Sequence, residues 1–225
     1  RMLLGKLIVV DLYQPATMKI QPEHVFKDPD PARLKALIQQ DCRAIRMLES
    51  VARRLKFDLD SKTTPEIEQI CAAHNTLFLD LDFPPNDKSL FGPDASSHSE
   101  ELITWRRPRE FLRGHYAVFE EGIEPGDIRQ GQLTNCWFLS VLASLAEFPL
   151  LVERLFETSS VSEAGVYRVR FCVNGQWVWT LLDDYFPCYP GAGPIYSASH
   201  GNELWVLLLE KAYAKFYGSY NALRY

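Results

Sequence analysis

The pattern of apolar and polar positions predicts a long amphipathic helix near the start of the chain. Asp30-Pro31 is typical of a helix start, because an N-cap residue precedes a first-turn proline. Apolar residues then recur at helical spacing, at Leu34, Ile38, Cys42, Ile45, Leu48, Ala52 and Leu55. The opposite face is basic, with Arg33, Lys35, Arg43, Arg46, Arg53 and Lys56. We interpret this face as solvated, with a partner-binding helix as the alternative, and we expect the apolar residues 3–10 to form a buried strand.

Downstream, the pattern predicts further helices and then a hairpin. One helix begins at Thr64-Pro65-Glu66, and another begins at Asn135 and ends near Phe148. Between residues 166 and 182 the apolar period changes to that of strands. Asn174-Gly175 divides this stretch and indicates a hairpin, because both central residues of such a turn need φ > 0. The prediction is a helix-rich α+β fold with a short antiparallel hairpin at about 166–182.

Composition narrows the class of protein. The 225 residues are 47% hydrophobic and 12% aromatic, which is ample for a core. The net charge of −5 gives no basic surplus for nucleic acid or an anionic membrane, and no apolar stretch is long enough to span a bilayer. The five cysteines have neither a disulfide framework nor metal-ligand spacing. We therefore expect a protein of the reduced cytoplasm.

The run from Gln130 to Ser140 has the features of a reactive-thiol site. Cys136 opens a predicted helix, and a helix N-terminus in general favours the thiolate form of a cysteine. Gln130 lies six residues earlier, where its side-chain amide and the helix N–H groups can face the oxygen of a tetrahedral intermediate. We interpret Cys136 as a nucleophile and Gln130 as an oxyanion donor. The other cysteines, Cys42, Cys71, Cys172 and Cys188, are interpreted as inert core residues.

Three more segments accompany this run in a fixed order. They are Phe78-Leu79-Asp80-Leu81-Asp82-Phe83-Pro84-Pro85, Trp105-Arg106-Arg107-Pro108-Arg109-Glu110, and Asn202-Glu203-Leu204-Trp205 with the following Leu208-Leu209-Glu210-Lys211-Ala212-Tyr213. With the Cys136 run, they resemble the calpain family of papain-like cysteine proteases. The resemblance implies the first half of a papain-like protease core at residues 64–225, with a central helix starting at Cys136. Residues 1–63 are then an N-terminal extension, made of a strand and the long amphipathic helix.

The resemblance also implies a calcium site in this half of the core. By position, its ligands are the carbonyls of Glu120 and Gly122 and the carboxylates of Asp127 and Glu203. Oxygen donors of this kind suit Ca²⁺. His200 occupies a further position where an acidic residue is usual, and Pro125 stands where calpains usually carry an arginine. We expect weak calcium binding rather than the usual calcium switch.

The histidine and asparagine of a thiol protease are missing from the expected contexts. The chain has His24, His74, His98, His115 and His200, and none has a calpain-like neighbourhood. In calpains both partners come from the second half of the core, so we expect this chain to be inactive alone. Its partners would be that second half and protein substrates, which the intact intracellular endopeptidase would cleave through an acyl-enzyme.

Two alternatives remain open. Calpains usually have Gly-Asp before the cysteine, whereas this chain has Thr134-Asn135, with Asn135 as a competent helix cap. Together with Pro125, this departure favours a catalytically weak or inert scaffold within a larger assembly. Another papain-like enzyme, a transferase or a deubiquitinase, would share the Cys–Gln pair but not the four ordered segments.

Overall fold

The computed structural model describes residues 31–55, 61–93, 103–120, 122–131, 133–199 and 201–224. The strand predicted at 3–10 and the residues His24, His98 and His200 lie outside that part. The helices are α1 (Pro31–Leu55), α2 (Thr64–Ala73), α3 (Asp87–Phe91), α4 (Pro108–Phe111), α5 (Cys136–Ala146), α6 (Pro149–Glu153) and α7 (Trp205–Tyr217). Within these ranges, 3-10 helices also cover Pro125–Asp127 and Asn221–Leu223. In the described residues no helix is long and apolar enough to cross a membrane.

The strands of the described residues pair two by two, and each pair is antiparallel. They are β1 (Thr104–Arg106) with β5 (Phe186–Cys188), β2 (Ile128–Arg129) with β6 (Ala198–Ser199), and β3 (Val166–Val173) with β4 (Gln176–Asp183). The pair β3–β4 is the hairpin predicted from the sequence, and its turn has positive φ at both Asn174 (50°) and Gly175 (78°). The predicted α+β class, with helices and short antiparallel strands, is confirmed.

Helices α1 and α2 begin where the sequence places them. The predicted amphipathic helix is α1, and its Ile45 and Leu48 pack against the protein core. Helix α2 starts with a capping box, in which the Glu66 carboxylate accepts the backbone N–H of Thr63 at 2.7 Å. The domain boundary near residue 64 remains a prediction.

The main core forms where α5, α7 and the β3–β4 hairpin meet. Helix α5 contributes Phe138, Leu139 and Leu142, while Val141 is exposed. Helix α7 is buried over most of its length, including two charged residues, Glu210 and Lys211. Since burial of a charge requires partners, α7 organises the polar contacts of the interior as well as its packing.

Candidate active site

Cys136 is the first residue of α5 and is exposed. The carbonyl of Asn135 accepts the N–H groups of Phe138 at 2.9 Å and Leu139 at 3.2 Å, which closes the first turn. The next side chain, Trp137, donates its Nε1–H to the carbonyl of Leu223 at 3.1 Å. The residues on both sides of Cys136, Asn135 and Trp137, are therefore fixed by hydrogen bonds. The predicted position of Cys136 at a helix N-terminus is confirmed.

Gln130 directly follows β2 and is exposed. Its Nε2 donates to the carbonyl of Leu133 at 3.2 Å, within the loop that leads to Cys136. The adjacent Gly131 lies against the segment before β6, where an added Cβ would come within 1.7 Å of the Tyr196 carbonyl oxygen. Only glycine fits at this position, so a close backbone contact fixes the chain directly after Gln130.

The side chain of Asn135 does not cap α5, which corrects the sequence interpretation. It is buried and donates its Nδ2–H to Oε1 of Glu210 at 2.8 Å. Glu210 also accepts the backbone N–H of Ser197, at 3.1 Å through Oε2. Sequence reasoning did not assign Glu210. The available signal was a charged pair, Glu210-Lys211, inside the apolar run of α7.

The remaining cysteines divide into two groups. Cys71 and Cys188 are buried, and burial raises the pKa of both thiols. Cys42 on α1 and Cys172 on β3 are exposed, so the expectation that they are core residues is wrong. Both cysteines were assigned to the buried side of their helix or strand, whereas the fold leaves both side chains exposed to solvent.

Of the five histidines, the structure describes His74 and His115. His74 ends α2, where its backbone N–H donates to the carbonyl of Ile70 at 3.2 Å. The carbonyl of His115 accepts Nδ2 of Asn202 at 2.8 Å. These are backbone contacts at a helix end and in a loop, and they assign neither imidazole a role in proton transfer.

Of the predicted calcium ligands, Glu120 and Asp127 lie near Glu203. Its Oε1 accepts the N–H of Glu120 at 2.6 Å, and its Oε2 accepts Nε1–H of Trp205 at 3.0 Å. Burial raises the pKa of Glu203 to about 7, and the charges of Asp127 and Glu120 act in the same direction. Asp127 Oδ2 accepts the N–H of Glu124 at 2.7 Å. Within the described residues, no three His, Cys, Asp or Glu side chains are arranged to hold a metal ion.

The comparisons with known proteins agree on one family. The model of the calpain family cysteine proteases matches residues 78–225. The calpain-type cysteine protease DEK1 of Arabidopsis thaliana is 39% identical over 164 residues, which are 69% of this chain and 8% of that protein. Calpain-5 of Caenorhabditis elegans is 36% identical over 165 residues, 70% of this chain and 25% of its own length. Calpain-A of Drosophila melanogaster is 37% identical over 157 residues, which are 68% of this chain and 18% of that protein.

This chain belongs to the calpain family of cysteine proteases. It spans only a small part of these relatives, at most 25% of their length.

Proposed function

We propose that this chain is the nucleophile-bearing half of a calpain-type cysteine endopeptidase core. The observation that carries the proposal is an exposed cysteine as the first residue of a helix whose start is anchored on both sides. A helix N-terminus offers N–H groups that have no partner within the helix, and they stabilise negative charge. Cys136 is therefore the nucleophile in this proposal, and Gln130 is the oxyanion donor.

The chemistry follows from these two groups. The Cys136 thiolate attacks a peptide carbonyl carbon, a C–S bond forms, and the carbonyl electron pair moves to oxygen. Nε2 of Gln130, which now donates to Leu133, would turn to this oxygen together with the first N–H groups of α5. The amine then leaves with a proton from an imidazolium, and water hydrolyses the thioester. The imidazole and its orienting asparagine would come from a second half of the core, so the isolated chain is inactive in this proposal.

A weak Ca²⁺ site forms a second part of the proposal. The carboxylates of Glu203 and Asp127 and the carbonyls of Glu120 and Gly122 are all oxygen donors, as Ca²⁺ requires. The charges of Asp127 and Glu120 help to raise the pKa of Glu203, so negative charge accumulates here. A cation would relieve that repulsion. The hydrogen bonds that already engage Glu203 and Asp127 would compete with it, so binding is expected to be weak.

The substrates in this proposal are intracellular proteins, and the chain functions in the cytoplasm. All five cysteines are unpaired, which suits a reducing compartment. The alternative is an inert calpain-like scaffold. It is favoured by Thr134-Asn135 in place of Gly-Asp before the cysteine and by Pro125, which here begins a 3-10 helix.

Selective alkylation tests the proposal. The folded chain is treated with limiting iodoacetamide, and each cysteine is quantified by mass spectrometry. Cys136 should be labelled first, because it combines exposure with a helix N-terminus. Cys42 and Cys172 are matched controls, since both are exposed but lie inside a helix and a strand. Faster labelling of either control than of Cys136 would remove the basis for assigning Cys136 as the nucleophile.

A further inference from the structure

The residue before the nucleophile is fixed by a buried carboxylate. Asn135 is 1% exposed, and its backbone carbonyl closes the first turn of α5. Its side-chain amide donates to Glu210 on α7, which is 3% exposed. Because both the backbone and the side chain of Asn135 are engaged, the conformation of the chain entering Cys136 depends on Glu210.

The same carboxylate holds the segment that faces Gln130. Glu210 accepts the N–H of Ser197, and Ser197 directly precedes β6. The pairing of β2 with β6 aligns Arg129 with Ala198, so continuing this register by one residue places Ser197 opposite Gln130. The close approach of Gly131 to Tyr196 agrees with that register. Glu210 therefore joins the segment carrying the proposed nucleophile to the segment supporting the proposed oxyanion donor.

We propose that Glu210 is a positioning residue, whose carboxylate sets the placement of Cys136 relative to Gln130. This inference rests on the proposed function, since it matters only where Cys136 and Gln130 act on the same carbonyl. A shared acceptor is an efficient way to couple the two segments, because displacement of either one breaks a buried hydrogen bond.

The protonation state of Glu210 affects this arrangement. In the described residues the groups that act on it are the Asn135 amide, the hydroxyl and backbone N–H of Ser197 and the Tyr220 phenol, none of them cationic. Lys211, its neighbour in sequence, is engaged by Asp183 and the Tyr185 carbonyl. Burial raises the pKa of Glu210 to about 7, against hydrogen bonds from Ser197 and Asn135 that lower it. An ionised carboxylate accepts from both donors through two oxygens. In a protonated carboxyl, one of these oxygens carries an O–H group and accepts less readily.

Asparagine at position 135 is suited to an ionised Glu210. An amide donates N–H at any pH, but an aspartate at that position would lie within hydrogen-bond distance of Glu210 and would have to share a proton with it. In this chain an aspartate at position 135 would make a proton-sharing carboxyl pair, whereas asparagine makes an amide–carboxylate pair. The contact then depends on a single titration, that of Glu210.

The test uses three variants and follows Cys136 alkylation against pH, with circular dichroism to verify folding. In Glu210→Gln one of the two carboxylate oxygens becomes an amide nitrogen, which cannot accept, so the Asn135 amide and the Ser197 N–H have one acceptor oxygen between them. In the double variant Asn135→Asp with Glu210→Gln, the new amide at position 210 donates to the new carboxylate at position 135, and its oxygen still accepts from Ser197. Glu68→Gln is a control for loss of one carboxylate charge, because Glu68 contacts the Ser162 hydroxyl instead.

We expect Glu210→Gln to slow alkylation of Cys136 by about tenfold, the size typical of losing one hydrogen bond to a charged group. It should also abolish an inflection near pH 7 that the unmodified chain shows in its rate profile. The double variant should recover most of the rate, and Glu68→Gln should keep both rate and inflection. General destabilisation alone would not remove one inflection selectively.

The outcomes separate this inference from the proposed function. If Cys136 is the fastest thiol, but Glu210→Gln keeps the original rate and pH profile, Glu210 has no positioning role. If Cys136 is not the fastest thiol in the unmodified chain, the proposed function itself is wrong. Should Glu210→Gln fail to fold, the double variant decides: a folded double variant that stays about tenfold slow contradicts the exchange of hydrogen bonds described above.

Discussion

At the scale of single residues, the interior is organised by charges on α7 that apolar burial alone does not explain. Lys211 and Asp183 form an ion pair in which both side chains are 0% exposed. Lys211 Nζ also donates to the carbonyl of Tyr185 at 2.6 Å, and Asp183 accepts the N–H groups of Asp80 and Tyr185. Both oxygens of Asp183 and the Nζ of Lys211 thus have hydrogen-bond partners, as a buried pair requires.

Removal of the cation from this pair should be costly. Lys211→Met leaves the Asp183 side chain in the core without its cation, so the free energy of unfolding should fall by about 3–5 kcal/mol. Urea denaturation followed by circular dichroism measures it. Lys88→Met makes the same chemical change at an exposed position and should stay within about 0.5 kcal/mol of the unmodified chain. Equal losses for the two variants would contradict the central role of the buried pair.

The predicted calcium ligands give a second test at this scale. If Glu203 and Asp127 bind Ca²⁺, the ion should raise the melting temperature, because it binds only the folded state. Two carboxylates and two carbonyls make a low-charge site, so we expect a dissociation constant on the order of 10⁻⁴ M or weaker. Asp127→Ala and Glu203→Gln should each abolish the shift, while Glu124→Ala should keep it. An equal response to Mg²⁺, or no saturable heat by calorimetry at millimolar Ca²⁺, would argue against the site.

At the scale of elements, the β3–β4 hairpin depends on its turn. Gly175 has φ 78°, a conformation that side chains with a Cβ rarely adopt, although space for a Cβ is open there. Gly175→Ala should therefore lower the free energy of unfolding by about 1–2 kcal/mol through backbone strain alone. Gly193→Ala is the control, because its Cβ also meets open space without positive φ. A comparable loss at both positions in urea titrations would contradict the strain argument.

The sequence predicted those elements in which local rules dominate. The start of α2, the start of α5 at Cys136 and the turn at Asn174-Gly175 depend on nearby residues and were predicted correctly. The partner of Asn135 could not be predicted in this way, because Glu210 is 75 residues away along the chain. The local sequence predicted that the Asn135 side chain caps the helix, but in the structure this side chain binds Glu210 instead.

The exposure of single side chains also could not be predicted from local sequence. Cys42 and Cys172 occur in periodic segments, and periodicity alone does not tell which end of a hairpin or which part of a long helix the core covers. Cys172 lies near the turn of the hairpin, beyond the part that α2 covers through Ile67 and Cys71. Identification of the family from four ordered segments was more secure than the burial of any single residue.

At the scale of the whole molecule, the half-core proposed above would supply one wall of a catalytic centre. The described residues supply an exposed thiol, a side-chain amide and a buried network behind them, with His74 and His115 engaged elsewhere through their backbones. The chain also spans at most 25% of the length of the relatives compared. A thiol protease needs an imidazole to accept and return protons. If the imidazole comes from a second half of the core, Cys136 can react with an electrophile in this chain even though the chain does not turn over a peptide.

That separation leads to the last prediction. The 225-residue chain should hydrolyse no calpain peptide substrate measurably, with or without Ca²⁺, although Cys136 reacts with iodoacetamide. A chain that continues into a half carrying the histidine and asparagine should turn the peptide over, because general acid–base catalysis adds about 10²–10⁴-fold to the rate. Cys136→Ser should abolish that turnover, and Cys172→Ser, an equally conservative change at an exposed thiol, should leave it intact. Turnover by the 225 residues alone that is lost in Cys136→Ser would show that this chain holds its own general base, and the half-core interpretation would be wrong. Failure of the longer chain to turn over peptide, with Cys136 still the fastest thiol, would instead support the inert scaffold.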